Sequence, residues 1–382
     1  MSEDVLICGA GMHPFGRFES ESYGDIGRVA ATAALEDAGL AWGDIEAAYV
    51  SSMYLPATSG ARILKPLGET GIPICNVEAA CASGAVALRQ AIQAIRAGSA
   101  RVVLVLGVEK MPRGFMDPSM IYESWQIQMG LCTNPSYWAL RARRHMHEFG
   151  TTDEQIARVA YKNHRNSVRN PYAMYRKEFS MEEILGSPLV CDPIRLLEIC
   201  APNEGAAAVV VTAGDAVKSR ERAPIIAACV HTLAAYAADW RGPMAGISAT
   251  AQHAVSPTTA TSRQAYEQTG IGPDEIDCFE VQDTDAFCEL EAYEELGMCG
   301  PGEAGELLDS GATEIGGRFP VNVSGGLISK GEPVGASHLG QLVELVWQVR
   351  GEAGERQVPN AKTGLAHVLG VGGNCGVTII QL

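Results

Sequence analysis

Among the chain's 11 cysteines, Cys81 stands where a thiol can react. It lies in NVEAACASGAVALRQAIQAIRAG, residues 76–98, between an extended apolar entry and the small-residue start of a long amphipathic helix. Unpaired backbone N–H groups and the positive end of the peptide dipoles at such a junction favour the thiolate, the nucleophilic form. Ala82, Ser83, Gly84 and Ala85 leave room for a thioester, and Val86, Leu88, Ala91, Ile92 and Ile95 form the helix's apolar stripe. On these residues alone a cysteine that only fills space is the favoured reading, because free cysteine is among the most buried side chains. The cysteines form no CxxC pair and show no ligand-like spacing to the 8 histidines, which argues against a disulfide framework and against an intrinsic metal site.

Charge narrows the ligand class. A net charge of −16 disfavours nucleic acid, since polyphosphate would be repelled over most of the surface. Residues 141–177 reverse the sign, with nine basic side chains (Arg141, Arg143, Arg144, Arg158, Lys162, Arg165, Arg169, Arg176, Lys177) against Glu148, Asp153 and Glu154. Such an island suits a small phosphorylated ligand, and a solvated helix face is the plainer reading. GAGMHPFG has the wrong spacing for a dinucleotide fingerprint and no GxxxxGK[ST] occurs, so a nucleotide cofactor is unsupported. No apolar run approaches the roughly 20 residues of a membrane span. MSEDVLICGAG lacks the features of a secretion signal, and the expectation is a soluble, cytoplasmic protein.

The elements that must hold Cys81 recur. ALEDAGLAWGDIEAAYVS from Ala34 and AYEQTGIGPDEIDCFEVQ from Ala265 superimpose without a gap, and VLGV at 105–108 returns at 368–371. Each half reads strand, helix, strand, helix, strand: 4–10, 24–38, 45–52, 83–97 and 101–107, then 224–231, 257–269, 276–282, 335–350 and 364–370. With 42 glycines and 47% apolar residues, the pattern implies layered α/β/α/β/α packing of two duplicated halves. The divisions expected are 1–111 with the nucleophile, 112–220 as a flap carrying the basic island, and 221–382 as the second half; a long excursion of this kind commonly forms a binding surface.

NVEAACASGAVAL resembles the nucleophile motif of the thiolase superfamily. YWALRARRHMHEFGTT, VAYKNHRNSVRNPYAMYR, EVQDTDAFCELEAYEELG and VNVSGGLISKGEPVGASHLGQ are similar, in order, to the branch of thiolases related to sterol carrier protein and nonspecific lipid-transfer proteins. The resemblance implies a five-layered thiolase-like fold. It also implies a Cys81 that attacks the keto carbon of a β-keto acyl-CoA, leaves an acyl group on sulfur and passes it to free coenzyme A. Backbone at Cys81 and around Gly372 and Gly373 would meet one oxyanion. Coenzyme A is then a substrate, with no permanently bound cofactor.

Two positions depart from the family. Where many thiolases carry GHPxG, this chain has Gly331, Glu332, Pro333, Val334 and Gly335, so Glu332 replaces the activating histidine. Ionised, Glu332 could take the thiol proton; neutral, it could donate to an oxyanion; a helix-capping role is the third reading. Gln282 and Asp283 replace the family's His-Asp, and Thr284 falls where an acid/base cysteine often lies. Gln282 can hold a water or donate to a carbonyl, but Thr284 supplies no thiol proton. Cys375, in GVGGNCG, and His367 are substitute acid/base candidates, each weighed against a core role. Asn322 and Ser324 read first as loop architecture. The coenzyme A contacts expected are Arg141, Arg144, Arg165, Arg176 and Ser324. The resemblance further implies a homodimer and admits a small partner subunit combining a zinc-binding segment with an oligonucleotide-fold barrel. It leaves open retro-aldol cleavage of a bulky β-hydroxy acyl-CoA and a noncatalytic acyl-CoA- or lipid-binding subunit.

Overall fold

The computed structural model describes residues 4–120, 122–131, 133–216, 221–233 and 255–382. The first half runs β1 (Val5–Gly16), α1 (Tyr23–Ala38), β2 (Ala47–Ser51), β3 (Ile74–Val77), α2 (Ser83–Arg96) and β4 (Val102–Lys110). An excursion follows with α3 (Asn134–Phe149), α4 (Asp153–Ser167) and a small antiparallel ribbon of β5 (Leu189–Cys191) and β6 (Ile194–Arg195), before β7 (Glu204–Ala213). The second half runs β8 (Ile225–Thr232), α5 (Pro257–Thr269), β9 (Cys278–Glu280), α6 (Ala286–Glu295), α7 (Ser337–Arg350), β10 (Thr363–Gly370) and β11 (Asn374–Gln381). No helix among the described residues is long and apolar enough to cross a membrane.

The strands join in the order β3-β2-β4-β7-β1-β8-β11-β10-β9. In each half an antiparallel long strand separates the first strand from a parallel pair: β7 lies between β1 and β4, and β11 between β8 and β10. The halves meet at β1 and β8, where Leu6 pairs with Ile225 and the Ile7 N–H donates to Pro224 O at 2.9 Å. Helix ends repeat as well. α1 and α5 start on Ser22 and Ser256, whose hydroxyls accept from the Asp25 and Thr259 amides, and both stop at left-handed glycines, Gly39 and Gly270.

α1 and α5 cover the outer faces, while α2 and α7 lie between the two halves of the sheet and against each other. This is the five-layered α/β/α/β/α arrangement. α2 keeps a polar side, but α7 is buried almost all round: Glu344 pairs with Arg356, Gln348 donates to Arg356 O and accepts from Val358 N, and Gln341 donates to His367 O. Each inner helix starts against the strand end of the other half. A Cβ added to Gly370, closing β10, would lie 3.0 Å from Cys81 N, and one on Gly107 in β4 would lie 2.6 Å from Gly335 O.

The ten elements expected from the repeat all form, with ends shifted by a few residues. β3, β7 and β11 were not anticipated. EGAAAVVVTA of β7 is buried at every position, so it lacks the alternation that marks a strand and its alanines suit a helix equally well. It lies inside the stretch read as flap, yet pairs with both β1 and β4.

Candidate functional site

Cys81 occupies a short 3₁₀ turn, Ala80–Ala82, that leads directly into α2. The turn is strained: Ala80 has φ +51°, a region non-glycine residues seldom adopt. Local hydrogen bonds hold it, as the Ser83 hydroxyl accepts from Ala79 N at 2.8 Å and donates to Ala80 O, and Glu78 accepts from Ala80 N at 2.7 Å. Cys81 is 8% exposed and packs with Ala82, Ala85, Met111, Val334 and Val368.

Opposite this apolar wall stands Glu332. Its carboxylate accepts from Gln282 Nε2 at 2.7 Å and from Cys200 Sγ at 2.8 Å, and it lies close enough to Cys81 for its charge to bear on the thiol. Burial raises the Glu332 pKa, and the donors, Cys200 foremost, pull it back. Burial pushes the Cys81 thiol well above its usual range, the Glu332 charge adds to that, and the backbone of Val371 and of Cys81 oppose it. The helix start therefore does not by itself deliver a thiolate, contrary to the expectation from sequence. An adjacent proton acceptor is required, and Glu332 is the carboxylate whose charge acts on this sulfur.

The structure brings Cys81, Glu332, Gln282 and the loop at Gly372 and Gly373 together. That loop, Val371–Gly373, joins β10 to β11 beside Cys81, with both glycines left-handed. Gln282 also donates to Thr284 Oγ1 at 2.8 Å, while its own Oε1 is buried without a partner. His367 is one step removed. Its Nδ1 faces the Gln282 amide at 3.5 Å, its Nε2 bonds Thr258 Oγ1 at 3.0 Å, and burial lowers its pKa to about 3, so the ring is neutral. Cys375 lies farther along, packed with Trp138, Cys288 and Leu369, its thiol raised to about 12 by burial.

The coenzyme A contacts expected from sequence are dispersed. Arg141 is buried in ion pairs with Glu291 and Glu295 and is not presented to a ligand. Ser324 is fully buried, bonding Glu280 and accepting from Lys330 Nζ at 2.8 Å, a loop-building role. Arg144 pairs with Glu148. Arg165 pairs with Glu314 at the rim of an open pocket of about 410 Å³ that Arg169 also lines. Arg176 is exposed. Of the island's nine cations, only Arg169 and Arg176 lack a carboxylate partner among the described residues. Acids distant in sequence neutralise Arg141, Arg143, Arg158, Lys162 and Arg165, which no local count of charge reveals. No cluster of three metal-ligating side chains occurs among the described residues.

Two residues of the site carry no sequence signal. Cys200, in EICAPNEG, reaches Glu332 from 132 positions away. Tyr54 packs on the Cys81 cluster, and its buried hydroxyl has no partner among the described residues; burial and the charges of Glu109, Cys81 and Glu332 raise it to about 12. Its backbone is fixed by Glu109, whose carboxylate accepts from the amides of Met53 at 2.8 Å, Tyr54 at 3.1 Å and Gly335 at 3.1 Å.

The Glu332 loop is shaped by Asp283, which accepts from Leu327 N at 2.6 Å, Ile328 N at 3.2 Å and Asn163 Nδ2 at 2.9 Å. Gly326, at φ +60°, lies so close that an added Cβ would sit 2.1 Å from Asp283 Oδ2. Gly326→Ala is expected to cost about 3 kcal/mol or more, from clash and left-handed strain together. Urea unfolding of the two proteins measures it.

Residues 5–216 match the family model for the thiolase N-terminal domain and residues 244–381 that for the thiolase C-terminal domain-like fold. Sterol carrier protein 2 of Bos taurus is 36% identical over 394 residues, 99% of this chain and 72% of that protein. Acetyl-CoA acetyltransferase of Methanothermobacter thermautotrophicus is 37% identical over 390 residues, 99% of each. Among solved structures, the Ltp2-ChsH2(DUF35) aldolase superimposes with a TM-score of 0.85 at 25% identity, covering 99% of this chain and 98% of that one.

Proposed function

The chain belongs to the thiolase family, in the branch of sterol carrier protein 2, and on that premise we propose that it is an acyl-CoA C-acyltransferase that cleaves or forms a carbon–carbon bond in a β-keto acyl-CoA through an acyl group on Cys81. The observation that carries this reading is the Glu332 carboxylate, held by Gln282 and Cys200 where its charge bears on the Cys81 thiol. Glu332 takes the thiol proton, and the thiolate adds to the keto carbon. The amides of Cys81 and of the Gly372–Gly373 turn meet one developing oxyanion, and Gln282 and the Tyr54 hydroxyl serve the other. Arg169 and Arg176, the island's cations without a carboxylate partner among the described residues, take the phosphates of coenzyme A. The protein works as a homodimer in the cytoplasm, and the pairing of Ltp2 with ChsH2(DUF35) in the similar aldolase supports a second subunit here.

Incubation with acetyl-CoA and with β-keto acyl-CoA compounds, followed by intact mass and peptide mapping, tests the reading. An acyl adduct on Cys81 supports it, and an unmodified Cys81 under turnover overturns it. The aldolase neighbour and the raised thiol favour a second reading, retro-aldol cleavage of a β-hydroxy acyl-CoA, which needs no thiolate. Cleavage that survives Cys81→Ala selects it. A noncatalytic acyl-CoA-binding subunit would bind without adduct or turnover.

Tyr54→Phe separates function from stability. The hydroxyl has no protein partner to lose, so the melting temperature should hold or rise slightly. The acylation rate of Cys81 should fall roughly 10–100-fold, the scale of losing one oxyanion donor. An unchanged rate removes Tyr54 from the mechanism.

A further inference from the structure

The site contains a second thiol that the acyl-transfer chemistry above does not use. Cys200 lies on a segment pinned from both sides: its amide donates to Thr284 O at 2.8 Å, and the next carbonyl, Ala201 O, accepts from Glu332 N at 3.0 Å. The side chain thus has little freedom to leave Glu332, and its sulfur sits 2.8 Å from Glu332 Oε2. Burial and the charges of Glu332, Asp283 and Cys81 keep the thiol protonated. Of the side chains bonded around Glu332, the Gln282 amide and the Thr284 hydroxyl are far too weak as acids to supply such a proton. Breaking a carbon–carbon bond next to a thioester leaves an electron pair on carbon that must be protonated before the product departs.

We propose that Cys200 is the proton carrier for that carbon, with Glu332 as the group that reloads it; the proposal rests on the acyl-transfer reading. Glu332 receives the Cys81 proton, and the Cys81 sulfur bonds to C3 of the β-keto acyl-CoA. The C2–C3 bond then breaks with its electron pair going to C2 as the thioester enolate. Cys200 gives its proton to C2, the shortened acyl-CoA is complete, and Glu332 returns a proton to the Cys200 sulfur across their hydrogen bond. The proton lost by Cys81 is the one gained at C2. In the second half-reaction the coenzyme A thiol gives its proton to Glu332, its sulfur bonds to the acyl carbon, and the released Cys81 sulfur takes that proton back. Run in reverse, the first step has the Cys200 thiolate removing a C2 proton.

The test is hydrogen exchange at C2 of acetyl-CoA in deuterium oxide, read by mass spectrometry, alongside acetyl labelling of Cys81 in the same samples. Wild-type protein should exchange. Cys200→Ala should exchange at least about 100-fold more slowly, while acetylation of Cys81 falls no more than about tenfold. Cys200→Ser, which keeps a donor to Glu332 but is a far weaker acid, should keep the melting temperature of the wild type and still lose exchange; this separates proton transfer from a purely structural role. Exchange at the wild-type rate in Cys200→Ala with Cys81 still acetylated overturns the proposal. Cys200-dependent exchange without any Cys81 adduct upholds the carrier and instead overturns the acyl-enzyme reading.

Discussion

Cys81→Ala is expected to abolish acyl transfer, lowering turnover by roughly 10⁴-fold or more, the scale seen when an enzyme loses its single nucleophile. The protein should stay folded. The residue is small, its neighbours include Ala82 and Ala85, and losing one sulfur from this wall costs on the order of 1–2 kcal/mol. Measured by coenzyme A release with a β-keto acyl-CoA and by intact mass, the expected result is neither turnover nor adduct at an almost unchanged melting temperature. Residual turnover above a tenth of wild type contradicts the nucleophile.

Glu332→Gln is the second large effect. An amide fits the same space but takes no proton, so the acylation rate should fall about 10²–10⁴-fold. The pH dependence carries the sign. Burial raises the Glu332 pKa above its ordinary 4.5, and the basic form accumulates as pH climbs through the raised value. Wild-type acylation should therefore gain an ascending limb above the usual carboxylate range, and the variant should lose it. Stability runs the other way. Between the ordinary and the raised value the folded chain holds a proton that the unfolded chain has lost, so this residue's contribution declines with rising pH. The amide variant should lack that decline and be at least as stable near neutrality. Glu332→His, restoring the family's residue, should recover part of the rate. Full activity in Glu332→Gln would remove the base role.

The alternation of elements was legible because both halves write it twice, with Gly39 and Gly270 punctuating at matching positions. β7 escaped because strands buried on both faces lose their period. Cys81 could be singled out because helix start, nucleophile and small residues are contiguous. Its supporting cast could not: Cys200 and Glu332 are 132 residues apart, and nothing local to either announces the other. The basic island misled for the same reason. Lys162 is cancelled by Glu289, and Arg165 by Glu314, through contacts that only the tertiary fold creates.

Glu109 bears on why duplication has not doubled the chemistry. Gly335 precedes the start of α7 much as Cys81 precedes that of α2, each against a glycine from the opposite repeat. Yet the amide of Gly335 is already occupied by an internal carboxylate, which also engages those of Met53 and Tyr54. One copy of the ancestral cradle thus carries a resident anion of its own, while its twin stays free to receive a visiting one. The two repeats therefore differ at matching positions, which accords with the single reaction centre proposed at Cys81.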